Sequence, residues 1–397
     1  MRNIWLAVSA LIGVVGACNG SGSSVPSGAV IEPGGIGAVI EPGGIDDPVG
    51  IDGLLVTTRG VTAVIHHSQG YRVATTWGAS GWTRHPVYVE SYPYVFDPPQ
   101  QWTASQIEGR VTVIDAAILP EVARWWRTTW AATQQDDGEF APPEVVLEWD
   151  DLGHPAKLVS RARYTAGDGV LAAVGTTAYI GPFEVFYLEH VDGGGWHSEH
   201  VSPVTWSGID AAGVGRLADG TAIVASFGGE GLWLHRRTDA WAQLRQLASG
   251  NVPYANVEFP PEGARDGAVA LAVYSDAVTQ HPRGMLVSLA DGSPGGDGDL
   301  LDTAIAALDA QIVFAPDGLS AKLLLWDRQQ HLAYLVDFTG TSFLPAQQLR
   351  PDLVFDAAPR LVYHPTGGYL ILYVARLPGD PPGSQAAWLL PLDELGS

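Results

Sequence analysis

Glycine-containing turns recur about every fifty residues along most of this chain, and this register constrains the fold more than any other feature. Asp-Gly pairs end at Gly169, Gly220, Gly267 and Gly318, and Thr366-Gly367 takes the same place, so the spacings are 51, 47, 51 and 49. Short alternating apolar runs flank the turns, a pattern typical of antiparallel strands. We expect tight type I′ hairpins, because both central positions of that turn require positive φ.

One unit of this register, residues 212–248, can be read as four short apolar runs. Arg59-Gly60 lies 109 residues before Gly169, which leaves room for one degenerate unit and gives seven units in all. Four short strands and a crossover make one blade of a β-propeller. The sequence therefore predicts an all-β chain whose residues 51–397 form a β-propeller, with seven four-stranded blades and six or eight as alternatives. The fourth run often begins at an aromatic residue, which we expect to pack between adjacent sheets: Trp82, Trp196, Trp241 and Phe343.

The last unit has only three runs before the chain reaches Ser397. An open fourth position would leave an unpaired strand edge. We therefore predict that the N-terminal stretch supplies the missing outer strand, from Val39-Ile40 or from Val30-Ile31.

Composition excludes several classes of protein. The chain has 21 Lys and Arg against 43 Asp and Glu, a net charge of −22, which excludes a nucleic-acid binder held by phosphate contacts. Its 48 Gly and 28 Pro make long helices and coiled coils poor candidates. A hydrophobic fraction of 46% supplies enough apolar material for a core and excludes simple disorder.

The N-terminus has the pattern of an export signal. Residues 1–17 combine Arg2 with an apolar run too short for a stable membrane span. The following Val15-Gly16-Ala17-Cys18 resembles the bacterial lipoprotein box, which implies cleavage before Cys18 and acylation of its sulfur by chains such as palmitate. Two or three acyl chains anchor a protein stably. The alternative is an ordinary signal peptide with an incidental cysteine.

The residue after the cysteine is Asn19. Within the resemblance, Asn rather than Asp at this place favours the outer membrane, so we expect an exported protein attached to the bacterial cell envelope by its lipid. A lone cysteine forms no intramolecular disulfide. Residues 18–50 are rich in Gly, Ser and Pro and read as a flexible tether, which contains GAVIEPGGI at 28–36 and again at 37–45.

Carboxylates recur about ten residues before the turns, where we expect the inner strand of each unit to begin, at Asp52, Asp115, Asp210, Glu258, Asp309 and Asp356. The third unit has Arg161 in that region, and Arg360 lies on another predicted inner strand. Two interpretations follow. The carboxylates either accept backbone N–H bonds where a loop becomes a strand, or they surround one end of the channel and bind Ca²⁺ or a cationic ligand.

The segment Trp196-His197-Ser198-Glu199-His200 suggests a metal site, but on a strand His200 points away from His197 and Glu199. We therefore interpret it as an exposed outer strand.

The Phe314–Gly318 turn and the repeated order of turn, strand and Trp resemble WD-like and, more loosely, sialidase-like propellers. A sialidase-like enzyme would need a cluster of arginines, for which Arg161, Arg163, Arg216 and Arg360 are available. The turns lack the sialidase Asp-box pattern, so we assign no catalytic residue. We expect a monomeric binding or scaffold module for a protein or glycan partner, with a glycan-processing hydrolase as the alternative.

Overall fold

We describe the chain from a computed structural model. It describes residues 38–41, 48–67, 72–78, 81–87, 103–107, 110–121, 124–142, 144–149, 156–163, 170–176, 184–191, 195–203, 210–261, 264, 266–381 and 384–394. The predicted signal peptide, Cys18, the first copy of the tandem repeat and the Asp168-Gly169 turn lie outside these residues.

Within the described residues the strands form seven antiparallel sheets. The first strand, β1 (Ala38–Glu41), belongs to the last sheet. Sheet 1 contains β2 (Pro48–Thr57), β3 (Gly60–His67), β4 (Arg72–Gly78) and β5 (Gly81–Val87). Sheet 2 contains β6 (Thr103–Ile107), β7 (Arg110–Glu121), β8 (Arg124–Thr133) and β9 (Glu144–Trp149). Sheet 3 contains β10 (Ala156–Arg163), β11 (Val170–Thr176), β12 (Glu184–Val191) and β13 (Gly195–Pro203).

The next three sheets repeat the same order of four consecutive strands. Sheet 4 contains β14 (Asp210–Arg216), β15 (Ala222–Gly228), β16 (Gly231–Arg237) and β17 (Trp241–Ser249). Sheet 5 contains β18 (Ala255–Glu258), β19 (Val269–Ser275), β20 (Pro282–Ser288) and β21 (Pro294–Asp299). Sheet 6 contains β22 (Leu308–Phe314), β23 (Ala321–Asp327), β24 (Leu332–Phe338) and β25 (Gln347–Leu349).

Sheet 7 differs in its first and last strands. Its inner position is divided between β26 (Val354–Phe355) and β27 (Arg360–His364), which both pair with β28 (Gly368–Arg376). Strand β29 (Ala386–Pro391) follows, and a short 3₁₀ helix (Leu392–Glu394) ends the described chain. No helix among the described residues has the length and apolar character required to cross a membrane.

The inner strands of the sheets lie side by side in a closed cycle. Each of β2, β6, β10, β14, β18, β22 and β27 contacts the next, and β27 returns to β2. In sheet 4 the second strand, β15, is buried at every position, whereas the outer β17 is largely exposed. This radial arrangement of four-stranded sheets is β-propeller-like and confirms the predicted all-β class.

The core consists of apolar layers between neighbouring sheets. The layer between sheets 7 and 1 closes the cycle, because Ile51, Leu54 and Ile65 of sheet 1 pack in one cluster with Val362 and Leu372 of sheet 7. Ile65 and Leu372 are fully buried. Apolar burial therefore holds together the two sheets that lie farthest apart in the sequence.

The outer position of sheet 7 is taken by β1. This strand pairs antiparallel with β29, with Ala38 opposite Leu389 and Val39 opposite Trp388. The prediction that Val39-Ile40 supplies the missing strand is confirmed. Because β2 begins at Pro48, the expected tether boundary at residue 50 falls inside a strand.

The three Asp-Gly hairpins in the described part of the chain are not type I′, so the expectation was wrong for them. Gly220, Gly267 and Gly318 have φ of 83°, 90° and 69°, whereas the aspartates before them are not among the described residues with positive φ. Gly220 N–H donates to the Leu217 carbonyl at 2.9 Å, as in a type I turn followed by a glycine bulge. Asp219 Oδ1 accepts the Thr221 N–H at 2.9 Å, so the aspartate stabilises the hairpin through a side-chain hydrogen bond.

The last turn of the series is displaced by one residue. Gly368, not Gly367, has positive φ, at 69°. The Gly367 N–H instead donates to Nδ1 of His364 at 3.1 Å. The spacing from Gly318 is therefore 50 residues rather than 49.

Aromatic rings at the start of outer strands reach the preceding sheet, as predicted. Trp196 Nε1 donates to Oε1 of Glu144 in sheet 2 at 3.0 Å, and Trp241 Nε1 donates to Oε2 of Glu199 in sheet 3 at 2.9 Å. Phe343 also packs against Gly284 of sheet 5, but it lies four residues before the outer strand β25 rather than at its start. The side chain of Trp82 lies outside the described residues.

Candidate binding site at the mouth of the ring

The inner strands run in parallel around the ring, so their first residues share one end, which we call the mouth. Hydrogen bonds from side chains fix the alignment of neighbouring inner strands. Tyr254 and Asn256 both reach the backbone of Ala310, and Gln311 reaches the backbone of Leu361. Residues that begin these strands are therefore neighbours at the mouth although about fifty residues separate them in sequence.

Asp309, Arg360 and Tyr254 form the most open polar group of the described mouth. Arg360 Nη1 lies 3.5 Å from Asp309 Oδ2, and the Tyr254 hydroxyl lies 3.2 Å from Asp309 Oδ1. The Asp309 side chain is 32% exposed and that of Arg360 25%. Three neighbouring sheets thus present a carboxylate, a guanidinium and a phenol to one place.

Asp52 lies on the other side of Arg360, in sheet 1. It occupies a bulge in β2 between Ile51 and Gly53, and its Oδ2 accepts a hydrogen bond from Arg72 Nε at 2.8 Å. Burial raises the pKa of Asp52, while the positive charges of Arg72 and Arg360 oppose that shift. The side chain is only 12% exposed, so Asp52 acts as a buried partner of arginine.

Asp356 has a comparable partner in sheet 7. Arg376, the last residue of β28, places Nε 3.1 Å from Asp356 Oδ2. Both side chains are largely buried, at 19% and 17% exposure. Charge-assisted pairs of this kind fix the loop that leads into the inner strand.

Three predicted site residues lie elsewhere than expected. Asp115 is in β7, the second strand of sheet 2, because β6 takes the inner position there. Glu258 is the last residue of β18, about 10 Å beyond its first residue at the strand rise of 3.3 Å. Arg161 is the sixth residue of β10 and so lies about 16 Å along the strand from its first residue, away from the mouth. Sequence spacing misplaced all three because strand length and loop length vary between units.

The remaining predicted residues lie at the mouth. Asp210 is the first residue of β14, although its side chain lies outside the described part. Asp52, Asp309 and Arg360 are brought together, and Asp356 lies in the loop that leads into β27, paired with Arg376. Sequence reasoning missed Tyr254, Arg72 and Arg376. The two arginines each follow their aspartate by 20 residues, a spacing that the sequence does contain.

The described carboxylates of the mouth are neutralised pairwise. Asp52, Asp309 and Asp356 each face an arginine. Over the described residues, no group of three or more His, Cys, Asp or Glu is placed to hold a metal ion. The geometry of this part of the mouth fits a ligand that both donates and accepts hydrogen bonds better than a strongly charged one.

The histidine segment of β13 agrees with its interpretation as an exposed strand. His197 and His200 are exposed. Glu199 binds Arg237 and Trp241 of sheet 4 and so belongs to the contact between sheets 3 and 4.

No protein-family model and no curated protein matches this chain. Similar solved structures include a protein of unknown function from Dyadobacter fermentans (13% identity, TM-score 0.45, covering 74% of this chain and 96% of that one). The WD40 domain of SCAP from fission yeast has 11% identity and a TM-score of 0.43 over 88% of this chain and 86% of its own. Prolyl oligopeptidase B from Galerina marginata has 10% identity and a TM-score of 0.44 over 83% of this chain. The match spans only 47% of that peptidase.

Proposed function

We propose that this chain is a lipid-anchored protein of the bacterial cell envelope whose seven-bladed β-propeller binds a protein or glycan partner at its mouth. The blade number is supported by the seven sheets of the described residues and by the closed cycle of their inner strands. Anchoring through Cys18, with the outer membrane as destination, is supported by the lipobox-like Val15-Gly16-Ala17-Cys18.

The partially exposed group of Asp309, Arg360 and Tyr254 is the observation that carries the binding role. Asp309 accepts hydrogen bonds, Arg360 donates them, and the two charges compensate each other at 3.5 Å. Peptide groups and sugar hydroxyls both donate and accept hydrogen bonds, so a peptide segment or a glycan matches this pair. Phosphate-rich polymers match it poorly because of the net charge of −22.

Binding is tested with the chain carrying Cys18→Ser, by thermal unfolding against panels of glycans and envelope peptides. A ligand at a hundred times its Kd adds about 2.7 kcal/mol to the unfolding free energy, which gives a clear shift in Tm. We expect Asp309→Asn and Arg360→Gln to abolish the shift. The matched control, Asp317→Asn, changes a carboxylate in a hairpin at the opposite end of β22 and should retain it. A shift that survives both mouth substitutions would place the ligand elsewhere.

A divalent cation is a separate arm of the same experiment. If Ca²⁺ binds the mouth, Ca²⁺ raises and EDTA lowers the Tm of the unsubstituted protein, and Asp309→Asn reduces that difference. Equal Tm values in Ca²⁺ and EDTA would remove the cation from the proposal and leave the peptide or glycan partner.

Anchoring is tested by labelling cells that express the chain with a palmitate analogue and then separating their membranes. We expect label on the natural chain in the outer-membrane fraction and none on Cys18→Ser. A labelled Cys18→Ser chain, or an unlabelled natural chain, would contradict the lipid anchor without affecting the binding test.

The hydrolase alternative receives no support from the arginines. Arg360 begins β27, whereas Arg216 ends β14 and Arg163 ends β10. Inner strands of about seven residues span roughly 20 Å, so these arginines lie at opposite ends of the ring. Arg216 moreover pairs with Glu189 at 3.1 Å. A binding module therefore fits the geometry better than an enzyme that collects three arginines around one substrate carboxylate.

A further inference from the structure

The outer edge of β29 accepts a strand that is not its neighbour in sequence. In the other six sheets the fourth strand belongs to the same run of four consecutive strands, whereas in sheet 7 it is β1, from the N-terminal side of the whole ring. The register places Glu41 opposite Ala387 and Val39 opposite Trp388. We call this edge the acceptor edge.

The strand that occupies the acceptor edge exists twice in the chain. The nine residues 37–45, which contain β1, repeat residues 28–36 without a single difference, so Ala29 to Glu32 are identical to Ala38 to Glu41. The backbone pairing that β1 makes with β29 is therefore available to the earlier copy, with the same side chains at the same positions. Only the length of the connection to β2 distinguishes the two.

The length of this connection determines the expected ratio of the populations in which each copy is docked. The later copy reaches β2 through six residues, 42–47, and the earlier copy would need fifteen, 33–47. Because the probability of closing a flexible loop falls with the three-halves power of its length, the later copy is favoured about fourfold. Both arrangements are then populated.

We propose that the acceptor edge binds either copy in turn, residues 38–41 in the major form and residues 29–32 in the minor one. The exchange changes how far the ring lies from residue 18. Nineteen residues separate Cys18 from the docked strand in the major form and ten in the minor form. For a flexible coil these correspond to about 24 and about 17 Å. Only this consequence for reach rests on the proposed lipid anchor, while the exchange itself does not.

The exchange is tested by disulfide formation in the whole chain carrying Cys18→Ser, in a glutathione redox buffer. Ala387→Cys is combined in turn with Glu41→Cys, with Glu32→Cys and with Val30→Cys. The first two positions correspond to the residue paired with Ala387 when their copy is docked, whereas the third corresponds to Val39, which is paired with Trp388. We expect the Glu32→Cys pair to form an intramolecular disulfide about fourfold less favourably than the Glu41→Cys pair. Equal disulfide formation with Glu32→Cys and Val30→Cys would show a loose tether and overturn the proposal.

A second variant checks that the copies compete. Val39→Asp, added to the Glu32→Cys and Ala387→Cys chain, weakens the later copy and should raise the occupancy of the earlier one about fivefold, from about one fifth to nearly complete. Val30→Asp is the matched control and should lower it. No increase with Val39→Asp, or a disulfide found only between two chains, would contradict exchange within one molecule. Both readouts are independent of ligand binding and of acylation.

Discussion

Two interfaces between neighbouring sheets each contain a buried apolar layer but differ in their cross-sheet hydrogen bonds. Between sheets 5 and 6, Asn256 Nδ2 donates to the Ala310 carbonyl at 2.6 Å, and the Tyr254 hydroxyl accepts the Ala310 N–H at 2.7 Å. Between sheets 7 and 1, where the cycle closes, a cluster of apolar side chains that includes Leu54 and Leu372 is accompanied by the electrostatic interaction of Asp52 with Arg360.

The difference follows from the course of the chain. Sheets 5 and 6 are consecutive, so a short connection keeps them together and buried hydrogen bonds fix their register. Sheets 7 and 1 are neighbours in the ring but are formed by opposite ends of the described chain, so their inner strands are not joined by a short connection. Non-directional apolar burial and the borrowed strand β1 must supply the association there. The closing interface should therefore be the more sensitive to loss of apolar volume.

The largest expected effect is at the closing interface. Leu372→Ala removes a fully buried side chain from the apolar cluster between sheets 7 and 1 and should cost about 2–5 kcal/mol in the free energy of unfolding. Urea denaturation followed by tryptophan fluorescence measures it. Leu377→Ala, just beyond the same strand and 41% exposed, is the control and should change stability by less than about 0.5 kcal/mol. Similar costs at both positions would remove the basis of the comparison.

The interface between sheets 6 and 7 gives the next largest effect, because its cross-sheet hydrogen bonds resemble those between sheets 5 and 6. Gln311 accepts the Leu361 N–H at 2.7 Å and donates to the Leu361 carbonyl at 3.0 Å. Gln311→Leu leaves both backbone groups without these partners and should cost about 1–3 kcal/mol. The exposed Gln348→Leu in β25 is the matched control, with an effect below about 0.5 kcal/mol. A neutral Gln311→Leu would mean that these bonds do not specify register.

Acid should weaken sheet 1 through His66. Burial first, and then the positive charges of Arg72 and His67, lower the pKa of His66 from 6.5 to about 4. Because the folded pKa lies below the unfolded one, its stabilising contribution is complete above pH 6.5 and is lost as the pH falls towards 4. Allowing for partial exposure, the loss is about 1–2 kcal/mol.

Unfolding by urea at pH 7.5 and at pH 4.5, in the natural chain and in His66→Gln, measures this contribution. The substitution should reduce the difference in stability between the two pH values. The comparison between variants also separates His66 from Asp52, whose raised pKa acts in the opposite direction. An unchanged pH dependence would refute the role of His66.

The smallest effect is expected in a hairpin away from both interfaces. Asp317 Oδ1 accepts the Leu319 N–H at 3.0 Å in the turn between β22 and β23. Asp317→Ala should cost about 0.5–1 kcal/mol, the usual net value of one such hydrogen bond, as measured by thermal unfolding. Asp317→Asn keeps an acceptor oxygen and should restore most of the loss. A cost as large as that of Leu372→Ala would show that turns, rather than sheet interfaces, dominate stability.

The repeated order of strands could be predicted from the sequence because it depends on local rules. Turn glycines and alternating apolar runs are short-range signals, and they correctly indicated four strands in a unit. The three-run last unit also indicated that the N-terminal stretch would supply a closing strand, at Val39-Ile40 or at Val30-Ile31, and the structure places Val39-Ile40 there. The turn type was wrong because the Asp219 side chain, rather than a second positive φ, stabilises the hairpin.

The candidate site was predicted less well because it depends on register between distant strands. Asp309 and Arg360 were found as separate residues, but their contact across two sheets depends on how β22 and β27 align. Glu258 and Arg161 were misplaced because the lengths of β18 and β10 differ from those of other inner strands. Tyr254 lies just before β18, and its sequence context gives no sign that it reaches Asp309.

Closure of the ring by the N-terminal strand is tested most directly by hydrogen exchange of β29. The measurement follows deuterium uptake of the peptide 384–391 in the chain carrying Cys18→Ser, with residues 28–45 either natural or replaced by a Gly/Ser sequence of equal length. We predict slow exchange with the natural sequence and faster exchange after replacement, while peptides from sheet 5 exchange equally in both. Equal protection of β29 in the two chains would contradict closure by this strand.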